Sequence, residues 1–459
     1  MPNQSTNNEV NVIILAAGQG TRMNSSVSKV LHEVGNKTLI QHVIDAATPL
    51  ASSINVIIGH NSESVKKSVS NNLITWVLQK DQLGTGHAVM QARPNIQENS
   101  MCLILYGDVP LIQTQTLLKL LEKANKTGFS LLTVIQNDPT GYGRIIRDSS
   151  KSIQSIIEHK DANNEELEID EINTGIMAIT GALLTKYLNQ LEPNNSQGEL
   201  YLTDIVEKAA KDNVTIASFI CENSAEVMGI NDKNNLAEAE RAHQLKNAEE
   251  LMINGLTIKD PSRFDCRGIL TFGNDCIIDV NVVFEGEVRL GKNVLISPNC
   301  IIKNSKIGDN AHIMPNSMIE GSVIGSHTSI GPFARIRPET QIGSHAKIGN
   351  FVEVKKSIID DNSKVSHLSY IGDSQIGKAV NIGAGVITCN YDGVNKSQTT
   401  IGDGAFIGSN SQLIAPVLIG KNATIGAGST ITQDAPDEKL TLSRNKQSTI
   451  GKWKRPQKK

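Results

Sequence analysis

Gly18 and Gly20 sit in the run Leu15-Ala16-Ala17-Gly18-Gln19-Gly20-Thr21-Arg22, directly after an aliphatic stretch from Val12 to Leu15. Glycines at this spacing let backbone N–H groups approach phosphate oxygens closely, and Arg22 with Lys29 would offset the charge on departing pyrophosphate. A dinucleotide fingerprint needs a third glycine where Met23 stands, and a Walker A loop needs a G-K-[ST] that is missing, so both readings fail. A second run, Leu103-Ile104-Leu105-Tyr106-Gly107-Asp108, brings Asp108 to a strand's carboxyl end, where open α/β sheets bind ligands. Mg2+ takes one or two carboxylates plus phosphate oxygens, which makes Asp108 a candidate ligand.

A second set of reactive residues lies far downstream. An imidazole titrates near neutral pH, so His367 suits the removal of a proton by general base catalysis. It falls in His367-Leu368-Ser369-Tyr370, and a second irregular stretch, Thr388 to Thr400, holds Cys389-Asn390-Tyr391-Asp392-Gly393. Both stretches interrupt a regular pattern, and segments that leave a rigid scaffold are where function concentrates.

The elements that must position these residues fall into two dissimilar parts. The chain has 459 residues, about three times a usual domain, so two or more domains are expected. From residue 10 to about 230, β-branched runs (Val12 to Leu15, Ile54 to Ile58, Leu103 to Leu105, Leu131 to Ile135) alternate with helical stretches such as Leu39 to Ala47 and Gln115 to Ala124. That alternation predicts an α/β, Rossmann-like domain over residues 1–231 with a mainly parallel sheet. Residues 232–254, rich in Ala, Glu, Lys and Leu, read as one linking helix with Gly255 as its stop.

Beyond about residue 265 an aliphatic residue returns every sixth position. One phase is Ile324, Ile330, Ile336, Ile342, Ile348, Val354; another is Ile401, Ile407, Leu413, Ile419, Ile425, Ile431. A period of six fits neither helix nor ordinary strand; it is the hexapeptide repeat of a parallel β-helix, expected over 255–459. Three hexads make a triangular coil of about 18 residues, and roughly nine coils at about 4.8 Å would stand roughly 43 Å tall. With 2 Trp, 6 Tyr and 8 Phe, the core must be mostly aliphatic, as stacked layers require.

Charge and cysteine content exclude other classes. Forty-four Lys and Arg against 47 Asp and Glu give −3, no basic field for nucleic acid or an acidic membrane. Six scattered cysteines without a C-x-x-C pair suggest neither a disulfide scaffold nor a thiolate zinc site. No apolar run approaches the roughly 18 residues of a membrane helix, and the polar start Met1 to Glu9 is not a leader, so a cytoplasmic protein is expected. Lys452, Lys454, Arg455, Lys458 and Lys459 read as a solvated basic tail.

The loop at Leu15 resembles the signature L-x-x-G-x-G-T-R-[ML] of sugar-phosphate nucleotidyltransferases. Five further stretches extend the likeness: Gln79-Lys80-Asp81-Gln82-Leu83-Gly84-Thr85-Gly86-His87-Ala88, Pro139 to Arg144, Glu158 to Ala162, Glu171 to Gly175 and Gly229-Ile230-Asn231. Followed by hexapeptide repeats, they resemble the family of bacterial bifunctional N-acetylglucosamine-1-phosphate uridylyltransferases and glucosamine-1-phosphate N-acetyltransferases, over about Val12 to Arg455. The resemblance implies left-handed winding of the β-helix, a homotrimer, Mg2+, and acetyl-CoA and UTP as co-substrates. It implies that Leu15, Ala16, Ala17, Gly18, Lys29, Tyr106 and Asp108 line the nucleotide, that Gln79, Gly84 and Thr85 read uracil, and that Gly143, Glu158, Asn173 and Asn231 hold the sugar. Asp108 and Asn231 would ligate the metal.

In the second half, Lys355-Lys356, His367 to Tyr370, Asn381 to Gly385 and Cys389 to Gly393 match the same family's acetyltransferase half. The resemblance implies that Arg337, Lys355, Tyr370, Asn381 and Lys396 hold the amino sugar phosphate. It also assigns Ala384, Ser409, Ala427 and Arg444 to acetyl-CoA, with Asn390 and Tyr391 beside the amine. Two departures stand out: Ser28 precedes Lys29 where the family has Pro, and Met228 precedes Gly229 where an acidic residue is common. A monofunctional hexose-1-phosphate nucleotidyltransferase with a structural or regulatory β-helix is the alternative, but it leaves Gln79, Leu83-Gly84-Thr85 and the acetyl-site residues unexplained. A non-catalytic sensor would lack His367 or the Asn390-Tyr391 loop.

Overall fold

The computed structural model describes residues 9–18, 20–59 and 62–456. The polar start before Glu9, Gln19 of the glycine loop, and Lys458 and Lys459 of the tail lie outside the described residues. The chain forms two compact units, Met1–His243 and Gln244–Lys459, dividing within the helix Lys233–Ile253. Gly255, at φ +101°, follows that helix.

In the first unit a sheet runs in the order Ile216–Cys221, Phe129–Ile135, Glu171–Thr180, Met101–Tyr106, Val10–Ala16, Ser53–Ile58, Ile74–Leu78. Val10–Ala16 pairs in parallel with both Ser53–Ile58 and Met101–Tyr106. Glu171–Thr180 is antiparallel to both of its neighbours, and the hairpin Arg144–Arg147 and Ile153–Ile157 extends from it. Central strands covered on both faces are largely apolar, which is why Val12, Ile13 and Ile14 are all fully buried. Helices Leu39–Ala47 and Thr114–Thr127 cover one face, and Thr85–Gln91 and Gly181–Leu188 the other. Parallel pairing aims the carboxyl ends of Val10–Ala16 and Met101–Tyr106 to one edge, carrying Ala17 and Asp108 there together.

The second unit is a β-helix whose inward aliphatics stack coil upon coil. On one face the register joins Ile278, Ile296, Ile313, Ile330, Ile348, Val365, Ile382, Ile407 and Ile425. Successive members are 17 or 18 residues apart, except for the step of 25 from Ile382 to Ile407, which accommodates the Asn390 loop. The 17-residue coils contain one five-residue side, and these are the points where the sequence period changes phase. Eleven strands stack on this face, from Thr257–Ile258 to Leu440–Thr441, against the roughly nine coils expected. The early coils hide their hexads because Phe264–Phe272 and Val282–Leu290 run straight through Gly268 and Gly286 in place of a corner.

The corners demand left-handed residues, which Asn adopts more readily than most side chains. Asn281, Asn299 and Asn316 occupy one corner with positive φ, and their amides hydrogen-bond upward in series at 3.0 and 3.2 Å. Five of the six cysteines are buried and Cys389 is half-buried, all of them unpaired. Burial in the stacked core pushes the thiols of Cys266 and Cys300 up to about 11.

Candidate functional sites in the two units

At the carboxyl edge of the first unit's sheet lies a cavity of about 260 Å3, lined by Leu15 to Gly18, Lys29, Gln79, Gly84, Thr85, Tyr106 and Asp108. A second cavity, of about 740 Å3, is lined by Arg22, Gly143, Glu158 and Asn173. Thr85, Tyr106 and Glu199 border both, so they form one cleft with two compartments.

Four residues from separate segments converge beside this cleft. Lys29 forms an ion pair with Asp108, and its Nζ donates to Asn231 Oδ1 at 3.0 Å. Arg22 Nη2 donates to the same oxygen at 3.0 Å. The backbone ties the segments further, since Ile230 N donates to the carbonyl of Asp108 at 2.9 Å. A cation thus already lies between a carboxylate and an amide oxygen, the hard donor pair that suits Mg2+. Among the described residues no group of three or more His, Cys, Asp or Glu side chains could hold a metal, so an ion here would need phosphate oxygens and water.

The glycine loop is shaped by Gly20, whose φ of +61° lets it press on Lys29; a Cβ there would come within 2.6 Å of that lysine's own Cβ. Ser28 adopts φ −54°, within the range a proline would impose, so the departure at this position keeps the backbone that aims Lys29. Met228 turns into an apolar cluster with Val34, Leu39 and Ile230 and contributes no charge to the site. Gln79 is buried, with Nε2 donating to the carbonyl of Gly84 at 3.2 Å. Gly84 has φ +107°, and any Cβ on it would meet the carbonyl oxygen of Leu200 at 2.6 Å.

The larger compartment is acidic and phenolic. Thr203 Oγ1 donates to Glu158 at 3.1 Å, yet desolvation pushes that carboxyl above its ordinary value, helped by Asp161 and Asp204. Burial likewise raises the Tyr106 phenol, with Glu158 and Asp108 adding to it, and pushes Tyr201 up to about 12. Such a wall can accept hydrogen bonds from hydroxyl groups. Asn173 N donates to Gly143 O at 2.8 Å, while the buried Arg144 Nη1 donates to Tyr142 O at 2.5 Å and fixes the turn that presents Gly143.

Several participants escaped the sequence reading. Gln82 Nε2 donates to Ala17 O at 2.5 Å, and Glu199 and Tyr201 line the cleft. Gln82 lies inside a motif already singled out, so its signal was present; Glu199 and Tyr201 belong to no motif considered.

In the second unit His367 is exposed at a corner, and its Nδ1 lies 2.6 Å from Asn350 Oδ1. Val365 and Ile371 on either side keep the inward pattern, so His367 to Tyr370 turns the corner within the repeat. On the adjoining face Arg337 Nη1 pairs with Glu353 at 2.8 Å, and the register places Glu353 beside Tyr370 and Lys355 beside Gly372. Asn381 pairs with Lys364 on the rung below. Asn390 is buried and hydrogen-bonds Asp373; beyond it Tyr391 and Lys396 bridge the neck of an excursion whose tip, Val394, is 83% exposed. Ala384, Ser409 and Ala427 occupy equivalent corner positions on successive rungs, and Arg444 Nη1 donates to Ala427 O at 3.0 Å. Two groupings result: a polar face around Arg337, Glu353, Lys355 and Tyr370, and a column of small residues above His367.

Comparisons with known proteins match different families in the two units. A family model described as the MobA-like NTP transferase domain matches residues 12–165. Models for the GMPPB C-terminal domain and for six bacterial transferase hexapeptide repeats match 267–340 and 398–433. The chain is 58% identical over 450 residues to the bifunctional protein GlmU of Ruthia magnifica subsp. Calyptogena magnifica, covering 98% of this chain and 99% of that one. It is 52% identical over 452 residues to that of Idiomarina loihiensis, with 98% and 99% covered.

Proposed function

Because the chain belongs to the family of the bifunctional GlmU proteins, we propose that its two units carry out consecutive transfers. The second unit acetylates glucosamine 1-phosphate with acetyl-CoA. The first then transfers UMP from UTP to N-acetylglucosamine 1-phosphate, giving UDP-N-acetylglucosamine and pyrophosphate. The observation that supports this best is that each unit carries its own constellation: Arg22, Lys29, Asp108 and Asn231 in one, and His367 with a polar face and a small-residue column in the other.

In the acetyl transfer His367 accepts a proton from the sugar's neutral amine as that nitrogen attacks the thioester carbonyl. The C–N bond forms, the C–S bond breaks, and the proton leaves with the CoA thiol. Arg337, Lys355, Tyr370, Asn381 and Lys396 hold the sugar phosphate, Asn390 and Tyr391 border the amine, and Ala384, Ser409, Ala427 and Arg444 receive acetyl-CoA. In the uridylyl transfer Gln79, Gly84 and Thr85 read the base, and Gly143, Glu158 and Asn173 seat the sugar. The sugar phosphate attacks the α-phosphorus of UTP in line. Lys29 and Arg22 exchange Asp108 and Asn231 for phosphate oxygens and offset the charge leaving with pyrophosphate. Asp108 and Asn231 would hold Mg2+, which would supply further neutralisation of that charge.

The assembly fitting this chemistry is a homotrimer, in which flat prism faces pack about a three-fold axis and the exposed loop Tyr391 to Lys396 reaches a neighbouring chain. On this reading the protein works in the cytoplasm; separately, no described helix is long and apolar enough to cross a membrane.

Supplying glucosamine 1-phosphate, acetyl-CoA, UTP and Mg2+ tests the reading when free thiol and pyrophosphate are followed separately. Thiol is expected without UTP, whereas pyrophosphate should require acetyl-CoA unless N-acetylglucosamine 1-phosphate is supplied. Pyrophosphate from a hexose 1-phosphate with no thiol release would establish the monofunctional alternative. Light scattering should give three chains per particle; a fully active monomer would refute the shared assembly.

A further inference from the structure

We propose that Asn350 is a positioning residue for acetyl transfer: its side-chain oxygen holds the N–H at Nδ1 of His367, leaving Nε2 as the bare nitrogen that accepts the proton. This rests on reading His367 as the general base. The two side chains occupy equivalent places on successive rungs, Asn350 pairing with His367 in register, and the contact between them is 2.6 Å. An imidazole with one nitrogen committed as donor must present the other as acceptor, so the hydrogen bond selects the tautomer as well as the ring orientation.

The column in which they stand makes this partnership specific. Two residues beyond each inward aliphatic, this corner reads Val280, Pro298, Pro315 and Pro332 on the lower rungs, then Asn350 and His367, then Ala384, Ser409 and Ala427. Equivalent side chains lie one rung apart, about 4.8 Å. On the four rungs directly below Asn350 the column offers only apolar side chains. Above His367 it offers small ones, which leave space over the ring on the side away from Asn350.

The backbone is gripped as well. Leu368 N donates to Asn350 O at 3.0 Å, and the Ser369 hydroxyl donates to His367 O at 2.8 Å. Asn350 therefore holds this corner through both its main chain and its amide. Being neutral, it fixes the tautomer without the charge that an aspartate would place beside the ring. The ionisable groups on the strands around His367 are Lys347 and Lys364 on its own face, and Glu353, Lys355 and Tyr370 on the next.

The test uses the full chain with Asn350→Ala, Asn350→Asp and, in parallel, His367→Ala, each checked for an unaltered thermal transition. Asn350→Ala should lower kcat for acetyl transfer by about 10- to 100-fold, the usual loss when a group supporting a functional histidine is removed, with KM for both substrates within about twofold. Asn350→Asp retains the acceptor and adds charge, so it should recover most of that kcat while moving the acidic limb of the pH–rate profile upward. Histidine 15N spectra should show His367 protonated at Nδ1 in the parent and mixed in Asn350→Ala. An unchanged kcat in Asn350→Ala, or equal losses in both variants with the limb unmoved, would overturn the proposal while His367→Ala still abolished transfer. A proton found on Nε2 in the parent would overturn it too, and retained transfer in His367→Ala would remove the reading beneath it.

Discussion

In the first unit, reacting groups meet across long stretches of sequence: Arg22 and Asn231, 209 residues apart, share one hydrogen bond at the mouth of a cleft. In the second, Asn350 and His367 are 17 residues apart, and almost every contact of the site repeats that interval. Desolvation in the cleft raises Glu158, Tyr106, Tyr142 and Tyr201 together. The prism keeps several of its proposed site residues at the surface, where His367, Lys396 and Arg444 are exposed. Two routes to preorganisation are joined in one chain: a sheet edge that gathers distant loops, and a ladder that repeats one corner until a few rungs carry reactive side chains.

If the routes are independent, a single substitution should silence one activity and spare the other. Asp108→Ala strips the counter-charge from Lys29 and one proposed metal ligand, and pyrophosphate release should fall by at least about 10³-fold. Thiol release should be unchanged. His367→Ala should do the reverse, lowering acetyl transfer by roughly 10²- to 10⁴-fold while uridylyl transfer to supplied N-acetylglucosamine 1-phosphate persists. Steady-state assays of both products on both variants decide it, and loss of both activities from either correctly folded variant would join what the comparison separates.

A smaller effect sharpens the contrast between an obstructed loop and an open one. Gly84→Ala places a Cβ at φ +107° against Leu200 O, the oxygen that accepts from Gly86 N at 2.8 Å. The turn proposed to read uracil must shift, costing about 1–3 kcal/mol in the first unit and raising KM for UTP by about tenfold, with acetyl transfer unaffected. Gly255 has a similar φ, +101°, but a Cβ added there would meet nothing within 4 Å, so Gly255→Ala should cost only about 1 kcal/mol. Calorimetry and UTP titration read both.

The β-helix was the more legible half because an inward aliphatic every six residues is a one-dimensional signal; even its shifts of phase mark the 17-residue coils. What hid was the irregular start, where Gly268 and Gly286 replace a corner. In the first unit the strands were readable from β-branched runs, and the glycine loop and strand-end Asp108 from their local chemistry. The convergence of Asn231 on Lys29 follows from tertiary packing, which no local pattern encodes, and reached the sequence reading only through family resemblance. The amide chain in which Asn95 donates to the buried Asn55, and Asn55 to the buried Asn11, each at 2.7 Å, was invisible for the same reason: in sequence Asn11 and Asn55 resemble surface asparagines. Asn350 was passed over because only its place one rung below His367 makes it significant.

Glu158 gives the finest test, since it ties the cleft's chemistry to stability. Its carboxyl is held above the ordinary value of 4.5, chiefly by desolvation, so the folded unit binds that proton more tightly than the unfolded chain does. Between about 4.5 and the raised value the native state carries more protons, and stability must fall as pH rises through that window. Below it the cost is absent, and above it the cost is complete. Glu158→Gln removes the titration while keeping an acceptor for the Thr203 hydroxyl. The variant's first unit should therefore unfold at a higher temperature than the parent near pH 8, and the difference should close below about pH 4. Catalysis should move the other way: loss of a charged acceptor for a sugar hydroxyl, about 1.5 kcal/mol, should raise KM for N-acetylglucosamine 1-phosphate by about tenfold. Thermal scans at both pH values beside uridylyl-transfer kinetics measure this exchange, and a stability gain that persists unchanged at pH 4 would show that desolvation of Glu158 is not its source.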